Sequence, residues 1–428
     1  MDLNGLKKYV KKLGKNLIET ELPSPEYEIT RLAYSNRNST IISKLRGIDD
    51  IYIYTNLITS REDIVKILDA SDLASAYMFI AESFNKRKSL ITERFNEHFE
   101  EEDIDLSRIP FIKFYKEDGG YYLTSSIYII CFESICNASY HRTMYISKDK
   151  ATLRIVPRHL NYLAQKYFER NKDAPVALVL GLDPLHEIAA AMSPPLGFFE
   201  VELGAVLGGE ERIVRTPRYG IPVPANASIV VEGVISRDEV AKEGPFVDIL
   251  MLVDSERDQP IFKLEHMYKS KTSPLVIHAI VPGLWEHQLL MGFPREALVY
   301  REVKRVVPCV EEVRLTEGGS TWLHGVLSVN KTCSEGDAKL AAITAIAAHP
   351  SIKHIIVVDN DVDIDNPLEL EWAVATRVRG SRDIVIISDI RGSTLEPRSI
   401  DGIGDKVILL ALTPRSDPWD KYKRVKVP

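Results

Sequence analysis

Residues 324–361, HGVLSVNKTCSEGDAKLAAITAIAAHPSIKHIIVVDND, decide the fold class. HGVLSVNK reads as a strand, DAKLAAITAIAAH as a buried helix and IKHIIVVDND as a second strand. LELEWAVATRV (368–378) then reads as a helix and RDIVIIS (382–388) as a strand. Strands alternating with helices predict a mainly parallel sheet with helices packed on it, in an α/β domain over 311–428.

Upstream the pattern changes. Between 107 and 310, short β-rich runs alternate with Gly and Pro breaks: YYLTSSIYIICF, TMYIS, TLRIV, VALVLGL, ASIVVEGVI, FVDILMLV and SPLVIHAIV. Many short strands with turn signals between them predict a barrel or sandwich. Helical segments interrupt it at 160–170 and 200–207. Residues 1–106 read as a smaller α/β unit, with a strand over 51–58 and a helix capped by Ser60. At its start Leu3, Leu6, Val10 and Leu13 recur at helical spacing among lysines. That pattern predicts an amphipathic helix docked on its own domain; a basic helix lying on a membrane surface is the alternative.

Composition bounds the function. The chain has 428 residues, 45% apolar and 27% charged, with a net charge of −7. It is long enough for about three domains. The acidic balance argues against a protein held to nucleic acid by phosphate neutralisation. No apolar run reaches the ~20 residues of a membrane span and no secretory signal opens the chain. Four Cys fit a reducing, cytoplasmic setting, with Cys309 and Cys333 read as ordinary buried thiols. Gln occurs only at 165, 259 and 288 beside many Lys and Glu, a thermophile tendency.

Several catalytic signatures are missing. There is no GxxxxGK[ST], no GxGxxG after a strand, no GxSxG elbow and no HExxH helix. What remains is a set of polar segments at strand junctions. Cys136–Arg142 offers the Asn137 amide and the Arg142 fork, which binds carboxylates bidentately; a polar turn is the plain alternative. Arg154–Leu160 places Arg158 and His159 at a helix start. Glu200 and Glu202 stand at i,i+2, so at most one of them faces a site. Glu243 and Asp248 flank a Gly-Pro break with apolar neighbours, which suits paired carboxylates for acid/base work. Asp359, Asp361, Asp363 and Asp365 alternate; a turn and capping role fits better than a Ca²⁺ loop, since the Gly and terminal Glu of an EF-hand are missing.

Taken in order, these segments resemble the UbiD family of prenylated-FMN-dependent decarboxylases. NxxxxR reads as Asn137 to Arg142, PxH as Pro157-Arg158-His159, and the ExxxxGAL-like helix as Glu200 to Leu207. The VPAxxE signature reads from Val223 with Ser228 in place of Glu, EGP[FY]G[ED] as Glu243 to Asp248 with Val247 in place of Gly, and VDxDVDI as Val358 to Ile364 followed by Trp372, Ala373, Thr376 and Arg377. The resemblance implies an N-terminal α/β unit (1–106), a central split β-barrel binding the flavin (107–310) and a C-terminal α/β domain (311–428), with the site where domains meet. The long C-terminal helix of many members is not expected in this chain.

Carried over by position, Asn137, His159 and Glu200 would hold Mn²⁺ (or Mg²⁺, with K⁺ as a further candidate) against the flavin phosphate. Tyr140 and Arg158 would line the flavin, and Arg142, Glu243 and Asp248 would be the catalytic group. Glu243 is expected to be the proton donor, since burial favours the protonated form. The implied reaction is reversible, non-oxidative decarboxylation of an α,β-unsaturated acid through a covalent adduct with prenylated FMN. The size and amide-poor composition resemble archaeal members that convert trans-anhydromevalonate 5-phosphate to isopentenyl phosphate. An aromatic acid such as a 4-hydroxybenzoate derivative is the alternative substrate, and a non-catalytic flavin-binding scaffold the alternative of another class. A flavin prenyltransferase as cofactor supplier and a homo-oligomeric state are the implied partners.

Overall fold

The structure is a computed structural model that describes residues 1–422, 424 and 425. It divides into two compact units, one built from Met1–Ser71 and Glu82–Leu290, the other from Asp72–Ala81 and Met291–Pro428.

The first unit opens with the expected amphipathic helix, Leu3–Leu13. Asp2 caps it by accepting the Gly5 N–H, and Gly14 ends it at φ 70°, a left-handed conformation that glycine adopts without strain. Leu6, Val10 and Leu13 are buried, so the apolar stripe is used inside the unit. Ser60 and Asp63 form a capping box on the helix Arg61–Ile67, and Lys15 pairs with the buried Asp63 at 2.8 Å. A four-stranded sheet runs Asn16–Leu22, Ser39–Leu45, Ile48–Thr55, Leu275–His278. Its last strand comes from inside the segment expected to be central, and it pairs in parallel with Ile48–Thr55.

The large sheet of this unit is antiparallel throughout. Its order is Tyr122–Leu123, Thr143–Tyr145, Lys150–Leu153, Arg257–Ser270, Ile229–Glu243, Ala174–Leu180, Ile127–Phe132, Ile135–Tyr140, with Phe99–Glu102 also on Arg257–Ser270. The hydrogen-bonded path is open at both ends, so the barrel expected from the sequence is not a closed one. Its central strands are covered on both faces. Leu178 and Val231, opposite one another, enter one core with Tyr128 and Phe262; Val179 and Val230 enter a second core with Tyr268. Burial on both sides is why these strands read as continuous apolar runs rather than alternating ones. The longest pair carries Glu243. Ile229–Glu243 runs against Arg257–Ser270 with an irregularity between Ile235 and Val240, and ends with Glu243 opposite Arg257.

FVDILMLV is not the single strand its apolar run suggests. Only Phe246–Val247 and Val253–Asp254 pair, as a short antiparallel ladder. Between them Asp248 Oδ1 accepts the Leu250 and Leu252 N–H groups, and this local side-chain-to-backbone bonding displaces the ladder.

In the second unit the five-stranded sheet has the order Val310–Leu315, His324–Val329, His354–Asp359, Ile403–Ala411, Ile384–Arg391. The strand and helix placements follow the sequence reading, with helices at Glu335–Ala348 and Pro367–Arg377. The sheet is parallel only at its centre, since both edge strands pair antiparallel. The last strand slots between its predecessors, so the chain returns by a hairpin where a crossover was expected. The alternating aspartates serve packing and turns: Asp359 is buried against Arg377 and Arg415, Asp361 pairs with Arg377, Asp365 with Arg314, and Asn366 caps the following helix.

The cysteines correct a second expectation. Cys309 and Cys333 are disulfide-bonded, and so are Cys131 and Cys136. Cys131 and Cys136 face each other across the hairpin Ile127–Phe132/Ile135–Tyr140, and the Asn330 N–H to Cys309 O bond draws the other two segments together. Pairing across strands depends on register, which cysteine spacing does not reveal. Disulfides also occur inside hyperthermophilic cells, so the cysteine count does not fix the compartment. Among the described residues no helix is long and apolar enough to cross a membrane.

Candidate active site

Arg142 leaves the end of Ile135–Tyr140 and meets Glu243 at the end of the long strand. Nε and Nη2 donate to the two carboxylate oxygens at 2.7 and 2.9 Å, a bidentate pair. Nη2 also donates to Asp254 Oδ2 at 2.8 Å, and the guanidinium lies 4.4 Å from the Phe246 ring centre. Glu243 is fully buried and Arg142 nearly so. Burial works against the Arg142 charge, but Glu243 and Asp254 outweigh it and hold the group above its ordinary value.

Asp248 lies in the loop just beyond. Burial pushes its carboxyl up, and the nearby Asp254 adds to that against the Leu252 and Leu250 N–H groups and Arg142. A second carboxylate fixes this loop from below. Asp118 accepts the Val247 N–H at 3.0 Å with one oxygen and the Phe114 and Tyr115 N–H groups with the other. Gly119 donates to Pro245 O at 2.7 Å, and a Cβ there would stand 2.1 Å from Gly244 O, so only glycine permits the approach. Tyr115 OH donates to Pro282 O, and Gly283 donates to His287 Nδ1 at 3.1 Å. Burial, with Arg142 nearby, lowers the His287 imidazole to about 4, so it is neutral at ordinary pH.

A second group forms on the same strand. Asn137 Nδ2 and the Ala138 N–H each donate to Glu200 at 2.7 Å, and Ser139 Oγ donates to Asn137 Oδ1. Glu200 begins the helix Glu200–Val206 and is buried, while Glu202 turns outward to Arg87, as the i,i+2 spacing requires. Burial raises Glu200 to about 8. His159 opens the helix His159–Phe168, half-buried, with no hydrogen bond among the described residues, and burial beside Arg158 lowers its pKa. Arg158 is exposed at the same helix start. The structure thus brings Arg142 onto Glu243 and Asn137 onto Glu200, places Asp248 in the loop after Glu243, and leaves His159 unattached.

These residues fit the groups that the resemblance implies. A buried carboxylate at about 8 wants a cation, and an amide, an unbonded neutral imidazole and a carboxylate are a donor set for Mn²⁺. An amide rotation would present the Asn137 oxygen in place of its nitrogen. Among the described residues no three His, Cys, Asp or Glu cluster as a metal site; the expected set has an amide as its third member. The Thr124, Ser125 and Tyr140 hydroxyls are buried without a hydrogen-bond partner, as expected where a polar ring system would supply one.

The sequence reading passed over Asp254, Arg154, Arg257, Asp118 and His287. Strand pairing brings Asp254, Arg154 and Arg257 to the Arg142 cluster, whereas Asp118 reaches it through the Val247 N–H and His287 stands on the helix Trp285–Val306. It also passed over the buried Glu187–His278–Glu286 cluster, whose members lie on three different elements.

The comparisons bear on the family. Residues 87–285 match the 3-octaprenyl-4-hydroxybenzoate carboxy-lyase Rift-related domain, and residues 288–411 match the C-terminal domain of the same family. The chain is 39% identical to the anhydromevalonate phosphate decarboxylase of Aeropyrum pernix, covering 100% of this chain and 97% of that one. It is 36% identical to the enzyme of that name from Methanothermobacter thermautotrophicus, covering 98% and 99%. Among solved structures it resembles the UbiD-class enzyme HmfF from Pelotomaculum thermopropionicum in complex with FMN, at a TM-score of 0.92 and 28% identity over 99% of this chain and 97% of that one. An evolved dimeric form of HmfF in complex with prFMN superposes with a TM-score of 0.88 at 27% identity, over 100% and 97%. With family matches over most of its length and a full-length relative at 39% identity, the chain belongs to the UbiD family of carboxy-lyases.

Proposed function

We propose that this protein decarboxylates an α,β-unsaturated carboxylic acid with prenylated FMN, and that the acid is trans-anhydromevalonate 5-phosphate, giving isopentenyl phosphate. The observation that carries the reaction is the buried Arg142–Glu243 pair with Asp248 beside it. The full-length likeness to the Aeropyrum pernix enzyme supports the substrate.

In the overall reaction the bond to the carboxyl carbon breaks, CO₂ leaves and a proton takes its place. When bound, prenylated FMN supplies the electron sink that an sp² carbon lacks. We read the open nine-stranded sheet as the split barrel that holds it, with Asn137, His159 and Glu200 holding Mn²⁺ and Tyr140 and Arg158 beside the ring. Arg142 orients the substrate carboxylate through its Nη1 protons, which Glu243 and Asp254 do not engage. Glu243 fixes the plane of that fork. Asp248 is the better proton donor than Glu243. Its carboxyl is held toward the protonated form, whereas both Glu243 oxygens are engaged by Arg142. Phe246 and Tyr122, in ring contact at 4.5 Å, keep water from the pair.

Protein co-expressed with a flavin prenyltransferase and purified without oxygen tests this. Prenylated FMN in the released cofactor, Mn²⁺ in stoichiometric amount and isopentenyl phosphate formed from the phospho-acid are expected. Flavin-loaded protein that releases no CO₂ from this acid overturns the substrate; protein that takes up no flavin overturns the reaction.

A further inference from the structure

Around Asp254 the charges do not balance. Arg142 and Arg257 both donate to it, and Arg154 Nε stands 3.9 Å away. Glu243 is the other carboxylate of the cluster and is spent on Arg142. Asp248, the third acid, is held toward its neutral form. Three guanidiniums therefore face two committed carboxylates and a third, Asp248, that burial biases against carrying charge.

The surplus falls on Arg154. Its backbone N–H donates to Arg142 O at 3.1 Å, which fixes the two arginines side by side across neighbouring strands. The Gln259 side chain pins the next residue by accepting the Ile155 N–H at 2.7 Å. The Arg154 guanidinium makes one hydrogen bond among the described residues, from Nη1 to the Ile155 carbonyl at 3.2 Å. Its side chain is 23% exposed, against 14% for Arg142 and 31% for Arg257. A cation among cations, half out of water and short of acceptors, costs stability unless an anion completes it. The planar fork suits an oxyanion with several acceptors, as a phosphate has.

We propose that Arg154, supported by Arg257, is the subsite that holds the phosphate monoester of the substrate while Arg142 holds its carboxylate. The inference rests on the phospho-acid reading above and deepens it: two adjacent arginines, one at each end, select the phosphorylated acid, with about three negative charges near neutral pH, over the monoanionic acid lacking phosphate.

The test uses holoenzyme loaded with prenylated FMN and compares anhydromevalonate phosphate with the same acid lacking phosphate. Arg154→Gln is expected to lower the preference for the phosphorylated acid, as the ratio of kcat/KM values, by roughly 10- to 100-fold, with the loss in KM. Arg154→Lys is expected to recover part of it, and inorganic phosphate to compete with the phosphorylated acid in the wild type more strongly than in Arg154→Gln. An unchanged ratio, or equal losses on both acids, overturns the subsite. Loss of bound flavin in Arg154→Gln assigns the arginine to the cofactor phosphate and also overturns it. If the wild-type holoenzyme does not turn over the phosphorylated acid, it is the substrate reading that fails. The subsite is then decided by calorimetry with inorganic phosphate: binding to wild type and not to Arg154→Gln upholds it, and equal or no binding overturns it.

Discussion

The first unit holds two buried charge clusters of opposite character. Around His278 the ring is hydrogen-bonded by Glu187 at 2.7 Å on Nδ1, has Glu286 as an ion-pair partner 3.0 Å from Nε2, and stacks on Tyr54 with centroids 4.4 Å apart. Glu286 also accepts the Asn56 and Ile58 N–H groups and the Thr55 hydroxyl. Around Arg142, by contrast, Arg154 is under-bonded and Asp248 is held toward its neutral form. The first cluster draws its partners from the protein and ties the sheet strands Ile48–Thr55 and Leu275–His278 to the segments that carry Glu187 and Glu286. The second leaves hydrogen-bonding capacity unused beside an acid whose pKa burial raises, which is what an anionic substrate and a proton transfer need. Burial alone does not separate a site from a brace; a surplus of positive charge, absent around His278 and present around Asp254, does.

The sharpest way to break this contrast is to damage each cluster in turn. Glu243→Gln is expected to cost about 10³-fold in decarboxylation turnover by freeing the Arg142 fork that orients the reacting carboxylate, with a smaller loss of stability than His278→Ala because Asp254 still pairs with Arg142. A variant that loses stability instead would make the Arg142 cluster a brace. His278→Ala should do the reverse. It leaves two buried carboxylates facing each other without the cation between them, at about 3–5 kcal/mol of stability, read in urea titration. Turnover per folded molecule is expected to stay within a few-fold of wild type, and a large loss would draw His278 into the chemistry.

Asp248→Asn is expected to cost about 10²-fold in turnover. A donor works only while protonated, so wild-type turnover should fall as pH rises through the raised pKa of Asp248. The variant should lack that limb of the profile. A limb that survives would return the donor role to Glu243.

Much of this is legible in the sequence. The apolar runs VALVLGL and HIIVVD announce central strands because both faces are covered. Ser60 with Asp63 announces a helix start through its capping box. Asn137, Arg142, Glu200, Glu243 and Asp248 could be singled out because their segments match family signatures in order. The rest depends on pairing that local patterns do not encode. Asp254 and Arg154 reach Arg142 only through the hairpin after Asp248 and the strand beside Arg142. The register Cys131↔Cys136 is invisible until the hairpin is drawn. The Asp248 loop differs from the strand its apolar residues imitate, because one carboxylate oxygen takes the N–H groups a ladder would use.

The smallest expected effect also separates the two clusters, through the pH dependence of stability. His278 is raised to about 10: burial lowers it, but Glu187 and Glu286 outweigh that. In the unfolded chain a histidine titrates near 6.5. The stabilisation it brings is therefore complete below about 6.5 and is lost as pH rises toward about 10. Glu187, raised by burial, acts in the same sense, since the folded state holds its proton longer than the unfolded state does. Glu286 is lowered and acts on the acid side of the ordinary carboxylate range, outside this window. Wild-type melting temperature should therefore decline by a few degrees between about pH 7 and pH 9. Asp254→Asn, in the other cluster, should keep that slope, and His278→Gln should flatten it. If His278→Gln keeps the slope, the proton is not held at His278, and the contrast between a finished and an unfinished cluster loses its electrostatic basis.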